Sequence, residues 1–283
     1  MIAPHFRPAA LPEYHPALQA LLSQAVPVVM GVLNVTPDSF SDGGQFAAPE
    51  QALAQARRMI AEGAGIIDLG AESTRPYGSQ PVTADEELQR LRPVLGDVVA
   101  LGVPVSVDSM KASVTAWALG AGATVANDVW GLQRDPDMAR VVAEHGAPVV
   151  VMHNRDTVDP AIDIMKDIAA FFARSLEIAA KAGIPDGHIV LDPGIGFGKT
   201  QEQSMTVLAR LDELQSFGLP LLVGASRKKF ISTVTPSEPQ QRLGGSIAAH
   251  LLAAQRGASI IRAHDVAETV QALRVMAAIE DFR

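Results

Sequence analysis

PVSVDSMKASVTAWALGAGATVAND, residues 104–128, contains the repeating unit that decides the fold of this chain. A short apolar run ends in Asp108, a helical segment follows over 110–121, and a second apolar run ends in Asn127 and Asp128. Uninterrupted apolar runs of this length are typical of strands buried on both faces, as in a parallel sheet. Two such strands joined by a helix form one unit of an α/β fold.

The same unit recurs along the whole chain, because eight apolar runs alternate with helical segments. The runs are VVMGVLN, GIIDLGAEST, PVSVD, TVAND, VVVMHN, HIVLD, PLLVGASRK and ASIIRAH, which begin at residues 28, 65, 104, 124, 149, 188, 220 and 258. This rhythm predicts an α/β protein that forms a single (β/α)8 TIM barrel, with an open doubly wound sheet as the alternative. We expect the barrel domain to span 28–283 and the proline-rich residues 1–27 to form a short N-terminal extension.

The composition narrows the class of protein. The chain has 283 residues, and such a barrel typically takes roughly 250. Its formal net charge of −8 argues against nucleic acid, whose binding needs a basic surface. The lack of cysteine excludes disulfides and thiolate metal sites and favours a cytoplasmic location. No apolar run is long enough to cross a bilayer, so no membrane association is expected.

Three polar residues, Asp108, Asn127 and Asp192, each end an apolar run. We expect their side chains to converge at the carboxyl ends of the strands, where barrel enzymes keep their active sites. A buried carboxylate is unfavourable unless it is paired, and a heterocycle with two parallel N–H donors would satisfy it. The set therefore predicts a nitrogen heterocycle as ligand. In the alternative, each acid is neutralised by a nearby Lys or Arg and only stabilises the barrel.

A second group of residues is cationic and follows the second, seventh and eighth runs. It comprises Arg75, Lys228, Arg262 and His264, with Arg227 and Lys229 as further candidates. Loops after the seventh and eighth strands are a common phosphate site in such barrels, and arginine binds phosphate oxygens in a bidentate manner. On an otherwise acidic protein, this cluster predicts a small anionic ligand, and a diphosphate in preference to a monophosphate. Ordinary surface salt bridges are the alternative.

Other motifs are less informative than they first look. Gly194–Thr200 has three residues between its first and last glycines, whereas a P-loop needs four. His153 has no partner at metal-ligand spacing, so we expect it to be structural or to line a pocket. Asp68 and Glu72 are expected to orient loops or to pair with cations. The turn-rich connections 36–44 and 75–81 are typical of loops that rearrange over a site.

Seven motifs together resemble the dihydropteroate synthase family. They are MGVLNVTPDSFSDGG (30–44), IIDLGAESTRP (66–76), VDS (107–109), AND (126–128), LDPGIGFGK (191–199), SRK (226–228) and IIRAHDV (260–266). The resemblance runs from about residue 28 to the end of the chain. It implies a transferase that joins 6-hydroxymethyl-7,8-dihydropterin diphosphate to para-aminobenzoate in folate biosynthesis, with Mg²⁺ as cofactor and pyrophosphate as the second product.

The resemblance also implies roles for individual residues. Those expected to bind the pterin are Asp108, Asn127, Met152, Asp192, Phe197, Lys228 and Arg262. Those expected to bind the diphosphate are Asn34, Thr74, Arg75, Arg262 and His264, with Asn34 also a magnesium ligand. The expected catalytic residues are Asp108, Lys228, Arg262 and His264. Phe40 and Pro76 lie on loops expected to close over para-aminobenzoate, at the site that sulfonamides occupy, and the outer helices are expected to form a homodimer.

Two other functions share part of this pattern. A pterin-dependent methyltransferase would use the same barrel and acids but needs no diphosphate-binding site. The STRP (73–76) and RAH (262–264) motifs therefore count against it. A catalytically silent pterin-binding protein is disfavoured because every matched polar position is filled. The chain departs from many relatives at Asn154, Arg155 and Lys229, which could alter the outer pocket.

Overall fold

The computed structural model describes residues 13–36, 44–72 and 82–282. Within them, eight parallel strands pair in sequence order and close into a barrel, because β1 pairs with β8. The strands are β1 Val28–Asn34, β2 Ile66–Gly70, β3 Val105–Asp108, β4 Val125–Asp128, β5 Val149–Met152, β6 Ile189–Asp192, β7 Leu221–Val223 and β8 Ala258–Ala263. The predicted (β/α)8 TIM barrel is confirmed.

The helices comprise one that precedes β1 and others that follow the strands and cover the outside of the barrel. They are α1 Pro16–Leu22, α2 Gly44–Ala61, α3 Ala84–Leu91, α4 Leu95–Val99, α5 Ala112–Gly120, α6 Met138–His145, α7 Ile164–Ala182, α8 Gln201–Ala209, α9 Lys229–Val234, α10 Leu243–Gln255 and α11 Val266–Glu280. Thr83 and Glu86 form a capping box at the start of α3, and Gly183 ends α7 in the left-handed conformation. In the described part of the chain, no helix combines the length and apolar character needed to span a bilayer.

Strand register places the polar strand ends side by side. Asn34 lies opposite Gly70, Gly70 opposite Asp108, and Asp108 opposite Asn127. A Cβ atom added to Gly70 would lie 3.4 Å from the Cβ of Asp108 and 3.7 Å from Oδ1 of Asn34. The missing side chain at Gly70 therefore keeps open the space between these two polar groups.

Helix α1 closes the amino-terminal end of the barrel. Its Leu18 and Leu21 belong to the same buried cluster as apolar residues from seven strands. The backbone N–H of His15 donates to the carbonyl of Gly187 at 3.1 Å, which ties the start of α1 to the turn before β6. The sequence had assigned no role to this segment, and its described part completes the core.

Replacing Leu18 with alanine is expected to lower the free energy of unfolding by about 2 to 5 kcal/mol, because Leu18 is 1% exposed and truncation leaves a cavity. Denaturant unfolding measures the effect. Gln19→Ala, on the exposed side of the same helix, is the matched control and should stay within about 0.5 kcal/mol of wild type. Equal effects of the two changes would show that α1 does not pack as described.

Candidate active site

An arginine bridges two acids at the carboxyl end of the barrel. Arg262 on β8 donates from Nε to Oδ2 of Asp68 at 2.6 Å and from Nη2 to Oδ2 of Asp108 at 2.9 Å. Nδ2 of Asn127 lies 3.2 Å and 3.3 Å from the two carboxylate oxygens of Asp68. The predicted meeting of Asp108, Asn127 and Arg262 is thus observed, and Asp68 pairs with a cation as expected.

The ion pairs of Arg262 also agree with the alternative interpretation, in which a nearby cation neutralises the acids and they only stabilise the barrel. One carboxylate oxygen nevertheless remains without a hydrogen-bond donor. Oδ1 of Asp108 is buried and has no hydrogen-bond partner among the described residues. Such an atom is costly to bury unless a ligand donates to it. The geometry therefore combines an internal ion pair with a spare carboxylate oxygen.

Both strand-end acids have raised pKa values. Burial, with the charge of Asp68, raises the pKa of Asp108 to about 7 despite the opposing effect of Arg262. Burial raises the pKa of Asp192 to about 6, although the Gly194 N–H and the charges of Lys228 and Arg262 oppose the shift. The Gly194 N–H donates to Oδ1 of Asp192 at 2.8 Å. These acids change protonation close to neutral pH, which is typical of functional sites.

The walls beside Asp192 come from β5 and from the loops after β6 and β7. Met152 is buried and lies opposite Asp192 in the strand register. Nζ of Lys228 lies 4.1 Å from the centroid of the Phe197 ring, a distance typical of a cation–π contact. Since the charges of Lys228 and Arg262 both act on Asp192, the predicted acidic and basic groups share one end of the barrel.

His264 differs from its expected grouping with the cations. Burial, followed by the charges of Arg262, Arg227 and Lys228, lowers the pKa of His264 to about 3, so the imidazole is neutral at pH 7 among these groups. Its backbone N–H and Nδ1 lie 3.2 Å and 3.1 Å from Oγ of Ser226, the first residue of the SRK motif. Arg227 is held by a salt bridge to Asp265.

Asn34 ends β1 and is partly exposed. Lys229 begins α9, and Arg155 forms a salt bridge with Asp167. Four of the predicted site residues, Thr74, Arg75, Phe40 and Pro76, lie outside the described residues.

A salt-bridged cluster joins the two chain segments on either side of 73–81. Oε1 of Glu72 accepts from the backbone N–H of Val82 at 3.2 Å. Its Oε2 accepts from Lys111, which also donates to the buried Glu87 at 2.7 Å. Glu72 therefore orients the chain and pairs with a cation, as the sequence indicated.

Two polar features near the site go beyond what the sequence indicated. Asp68 was not assigned to the central ion pair, although a single charge inside the apolar run IIDLG requires a buried partner. Lys199, which is 2% exposed, was not singled out at all. No local pattern distinguishes a buried lysine from a solvated one.

Comparisons with known proteins agree with this geometry. Residues 30–264 match the family described as pterin binding enzyme. Dihydropteroate synthase of Bacillus subtilis (strain 168) is 44% identical over 266 residues, which cover 94% of this chain and 93% of that protein. Dihydropteroate synthase of Escherichia coli (strain K12) is 44% identical over 259 residues, covering 89% and 91%.

Solved structures of such enzymes superpose closely on this fold. The dihydropteroate synthase of Clostridium difficile, solved in the presence of pteroic acid, gives a TM-score of 0.87 at 47% identity and covers 90% of this chain and 97% of that one. The Xanthomonas albilineans enzyme in complex with 7,8-dihydropteroate gives 0.83 at 43% identity, covering 90% and 94%. The chain therefore belongs to the pterin-binding enzyme family and, within it, to the dihydropteroate synthases, which are transferases of folate biosynthesis.

Proposed function

We propose that this protein condenses 6-hydroxymethyl-7,8-dihydropterin diphosphate with para-aminobenzoate, giving 7,8-dihydropteroate and pyrophosphate by a dissociative substitution assisted by Mg²⁺. The observation that carries the proposal is the buried, unpartnered Oδ1 of Asp108 beside the Arg262 guanidinium, whose charge also acts on Asp192. Relatives support it, since solved dihydropteroate synthases contain 4-aminobenzoic acid in Xanthomonas albilineans and 6HMPPP in Thermus thermophilus.

The pterin would lie against the strand-end acids. The spare oxygen of Asp108 is an acceptor for a ring N–H, and Asn127 and Asp192 would complete the recognition of the amino-pyrimidinone edge. Lys228 would donate to the ring carbonyl, while Met152 and Phe197 line the pocket. Because Arg262 uses its edge for Asp68 and Asp108, its planar face remains suited to stacking on the ring.

The diphosphate would lie toward Arg262, His264 and Asn34, with Thr74 and Arg75 as further donors. Among the described residues, no group of three or more histidines and acids could hold a metal ion. Mg²⁺ fits the site nevertheless, because it commonly takes one or two protein oxygens together with waters and phosphate oxygens, and Asn34 supplies an amide oxygen across Gly70 from Asp108. When bound with the diphosphate, the ion would neutralise charge on the leaving pyrophosphate.

The side chains then assist a substitution at the methylene carbon. The C–O bond breaks, pyrophosphate leaves with the electron pair, and the ring delocalises the resulting positive charge. Ionised Asp108 and Asp192 favour that charge, while Arg262 and His264 stabilise the leaving group. The neutral arylamine nitrogen, held in line, forms the new C–N bond and releases its proton to solvent. No protein nucleophile is needed.

We place the para-aminobenzoate site beside the loops of Phe40 and Pro76, where sulfonamides would compete. A solved Yersinia pestis dihydropteroate synthase is a complex with a sulfonamide drug. A cytoplasmic location fits a chain without cysteine.

A homodimer through α10 and α11 is a further part of the proposal. Val266, Val270 and Leu273 of α11 are buried in the core, so that stripe packs inward. On the same helix, Val275 and Ile279 are 54% and 66% exposed and offer apolar area for a second copy. Light scattering that gives a monomer at micromolar concentration would contradict this part.

The direct test mixes the purified protein with both substrates and Mg²⁺ and measures pyrophosphate. Release that depends on para-aminobenzoate supports the synthase. A methyltransferase would release none, and a silent binding protein would bind the pterin without turnover. Asp192→Asn is expected to lower the rate by about tenfold to a hundredfold, because a neutral amide no longer favours positive charge on the ring.

Affinity for 6-hydroxymethylpterin is expected to rise by about tenfold between roughly pH 5 and pH 8. Burial raises the pKa of Asp192 to about 6 and that of Asp108 to about 7, and only the ionised carboxylates accept two ring donors. Titration calorimetry across this range measures the effect, and a ligand without phosphate keeps His264 out of the comparison. In Asp192→Asn, the part of the rise centred near pH 6 should disappear. Affinity independent of pH in wild type would contradict the assignment.

A further inference from the structure

A buried lysine lies behind the loop that connects β6 to α8. Nζ of Lys199 donates to the carbonyl of Gly194 at 2.9 Å and to the carbonyl of Phe197 at 3.1 Å. Its third neighbour is Nδ1 of His153 at 2.6 Å. When it is protonated, the Lys199 amino group has three N–H donors, so these three acceptors use all of them; burial lowers the pKa of Lys199 to about 7.

The acceptors are themselves fixed by a chain of polar contacts. Nε2 of His153 lies 2.9 Å from Oδ2 of Asp167, and Oδ1 of Asp167 lies 2.8 Å from Nη1 of Arg155. Because Lys199 donates to Nδ1, the neutral imidazole carries its proton on Nε2 and donates to Asp167. Burial lowers the pKa of His153 to about 4, which keeps the ring neutral and Nδ1 free to accept. The Lys199 network is defined as Lys199, His153, Asp167 and Arg155.

The two carbonyls held by Lys199 belong to residues that form the wall of the site. Gly194 donates its N–H to Asp192 at 2.8 Å, so Lys199 holds the same residue that orients this carboxylate. The Phe197 ring packs under Nζ of Lys228. Both wall elements are thus tied to one buried amino group, whose positive charge, when it is protonated, also acts on Asp192.

The loop has little freedom to compensate if this support is lost. Gly194 has a φ of +66°, and a Cβ atom there would lie 2.0 Å from the carbonyl oxygen of His153. At Gly198, with a φ of +56°, a Cβ atom would lie 2.7 Å from the carbonyl oxygen of Arg155. The loop between β6 and α8 therefore packs directly on the backbone that carries the Lys199 network.

We propose that Lys199 is a positioning residue for pterin recognition: by holding the carbonyl groups of Gly194 and Phe197, it fixes the direction of the Asp192 carboxylate and of the Phe197 ring. It touches no substrate. The inference rests on the proposed function, in which Asp192 and Phe197 contact the pterin, and it extends that function to a network behind the pocket.

Lys199→Met tests the proposal, because methionine fills a similar volume and donates no hydrogen bond. We expect the dissociation constant for 6-hydroxymethylpterin to rise by about tenfold or more. The dissociation constant for inorganic pyrophosphate with Mg²⁺ should stay within about twofold, because that ligand lies toward Arg262 and His264. Lys181→Met removes an exposed lysine at the end of α7 and is the matched control, with wild-type values expected for both ligands.

A pair of His153 variants separates positioning from general loss of packing. His153→Asn keeps an oxygen acceptor for Nζ of Lys199, whereas His153→Leu removes it. We expect pterin affinity to fall in His153→Leu and to be at least partly retained in His153→Asn. Far-ultraviolet circular dichroism and the unfolding midpoint are recorded for each variant, so that the pair decides the question if Lys199→Met does not fold.

Three results would overturn the positioning role. They are wild-type pterin affinity in Lys199→Met, equal losses of pterin and pyrophosphate affinity in it, and identical pterin affinities in the two His153 variants. Failure of the proposed reaction gives a different result from failure of the positioning role. Wild-type protein would then bind the pterin but release no pyrophosphate when para-aminobenzoate is added. The binding comparisons are unaffected by that outcome.

Discussion

An Arg262→Met variant is expected to lose about 3 to 5 kcal/mol of unfolding free energy, because removing one partner of a buried ion pair leaves uncompensated charge. Asp68 is fully buried, and Asp108 is 4% exposed. Both carboxylates give up a charged hydrogen-bond donor when the guanidinium is removed. Denaturant unfolding at pH 7.5 measures the loss; because Arg262 lowers the pKa of Asp108, removing it should raise that pKa further above about 7, and protonation of Asp108 then offsets part of the loss.

The same variant is expected to release pyrophosphate about a hundredfold to a thousandfold more slowly, since Arg262 is the proposed donor to the leaving group. A double variant, Arg262→Met with Asp68→Asn, separates the two effects. The neutral amide relieves part of the uncompensated charge, so unfolding free energy should partly recover while the rate does not. A single variant as stable as wild type would show that the two acids do not depend on Arg262.

A Gly194→Ala variant is expected to lose about 3 to 5 kcal/mol of unfolding free energy, since strain at positive φ and overpacking act together. The new methyl group would lie 2.0 Å from the carbonyl oxygen of His153, and backbone has to move to relieve the contact. The Gly194 N–H would leave Asp192 in that movement, so pterin affinity should fall as well. Thermal unfolding and calorimetry with 6-hydroxymethylpterin measure the two quantities.

Gly120→Ala provides the matched control for this change. Gly120 is the last residue of α5, and a Cβ atom there would meet nothing within 4 Å. Alanine in a helix favours folding relative to glycine, so this variant should equal wild type or exceed it by up to about 1 kcal/mol. If both variants were equally stable, the close approach of the loop to His153 would be wrong.

The barrel could be predicted from the sequence because each strand is buried on both faces and therefore apolar throughout. The ends of helices could be predicted less well from the sequence. The adjacent Pro49 and Glu50 are a sequence signal for a helix start, but α2 begins at Gly44 and contains that proline. Residues 200–217 have the sequence character of one helix, whereas the structure has α8 followed by a 3₁₀ segment, Leu211–Phe217. Tertiary packing decides such ends, and local patterns do not record it.

The location of the candidate site could be predicted from the same strand pattern, but its detailed contacts could not. Strand-end positions predicted that Asp108, Asn127, Asp192 and Arg262 meet, and they lie together. Their partners could not be predicted, because the contact between Arg262 and Asp68 joins residues far apart in the chain. The neutral state of His264 depends on burial and on three surrounding cations, which a sequence does not display.

Helix α1 has a consequence for biosynthesis. Its leucines belong to one buried cluster with Ile260 of β8, and β1 also needs β8 as its second neighbour. The beginning of the chain thus acquires its full set of native contacts only after the last strand has left the ribosome. Until then the buried cluster under α1 is incomplete and one edge of β1 stays unpaired, a state prone to aggregation. A polypeptide that stops before β8 should therefore accumulate as insoluble material instead of a smaller folded protein.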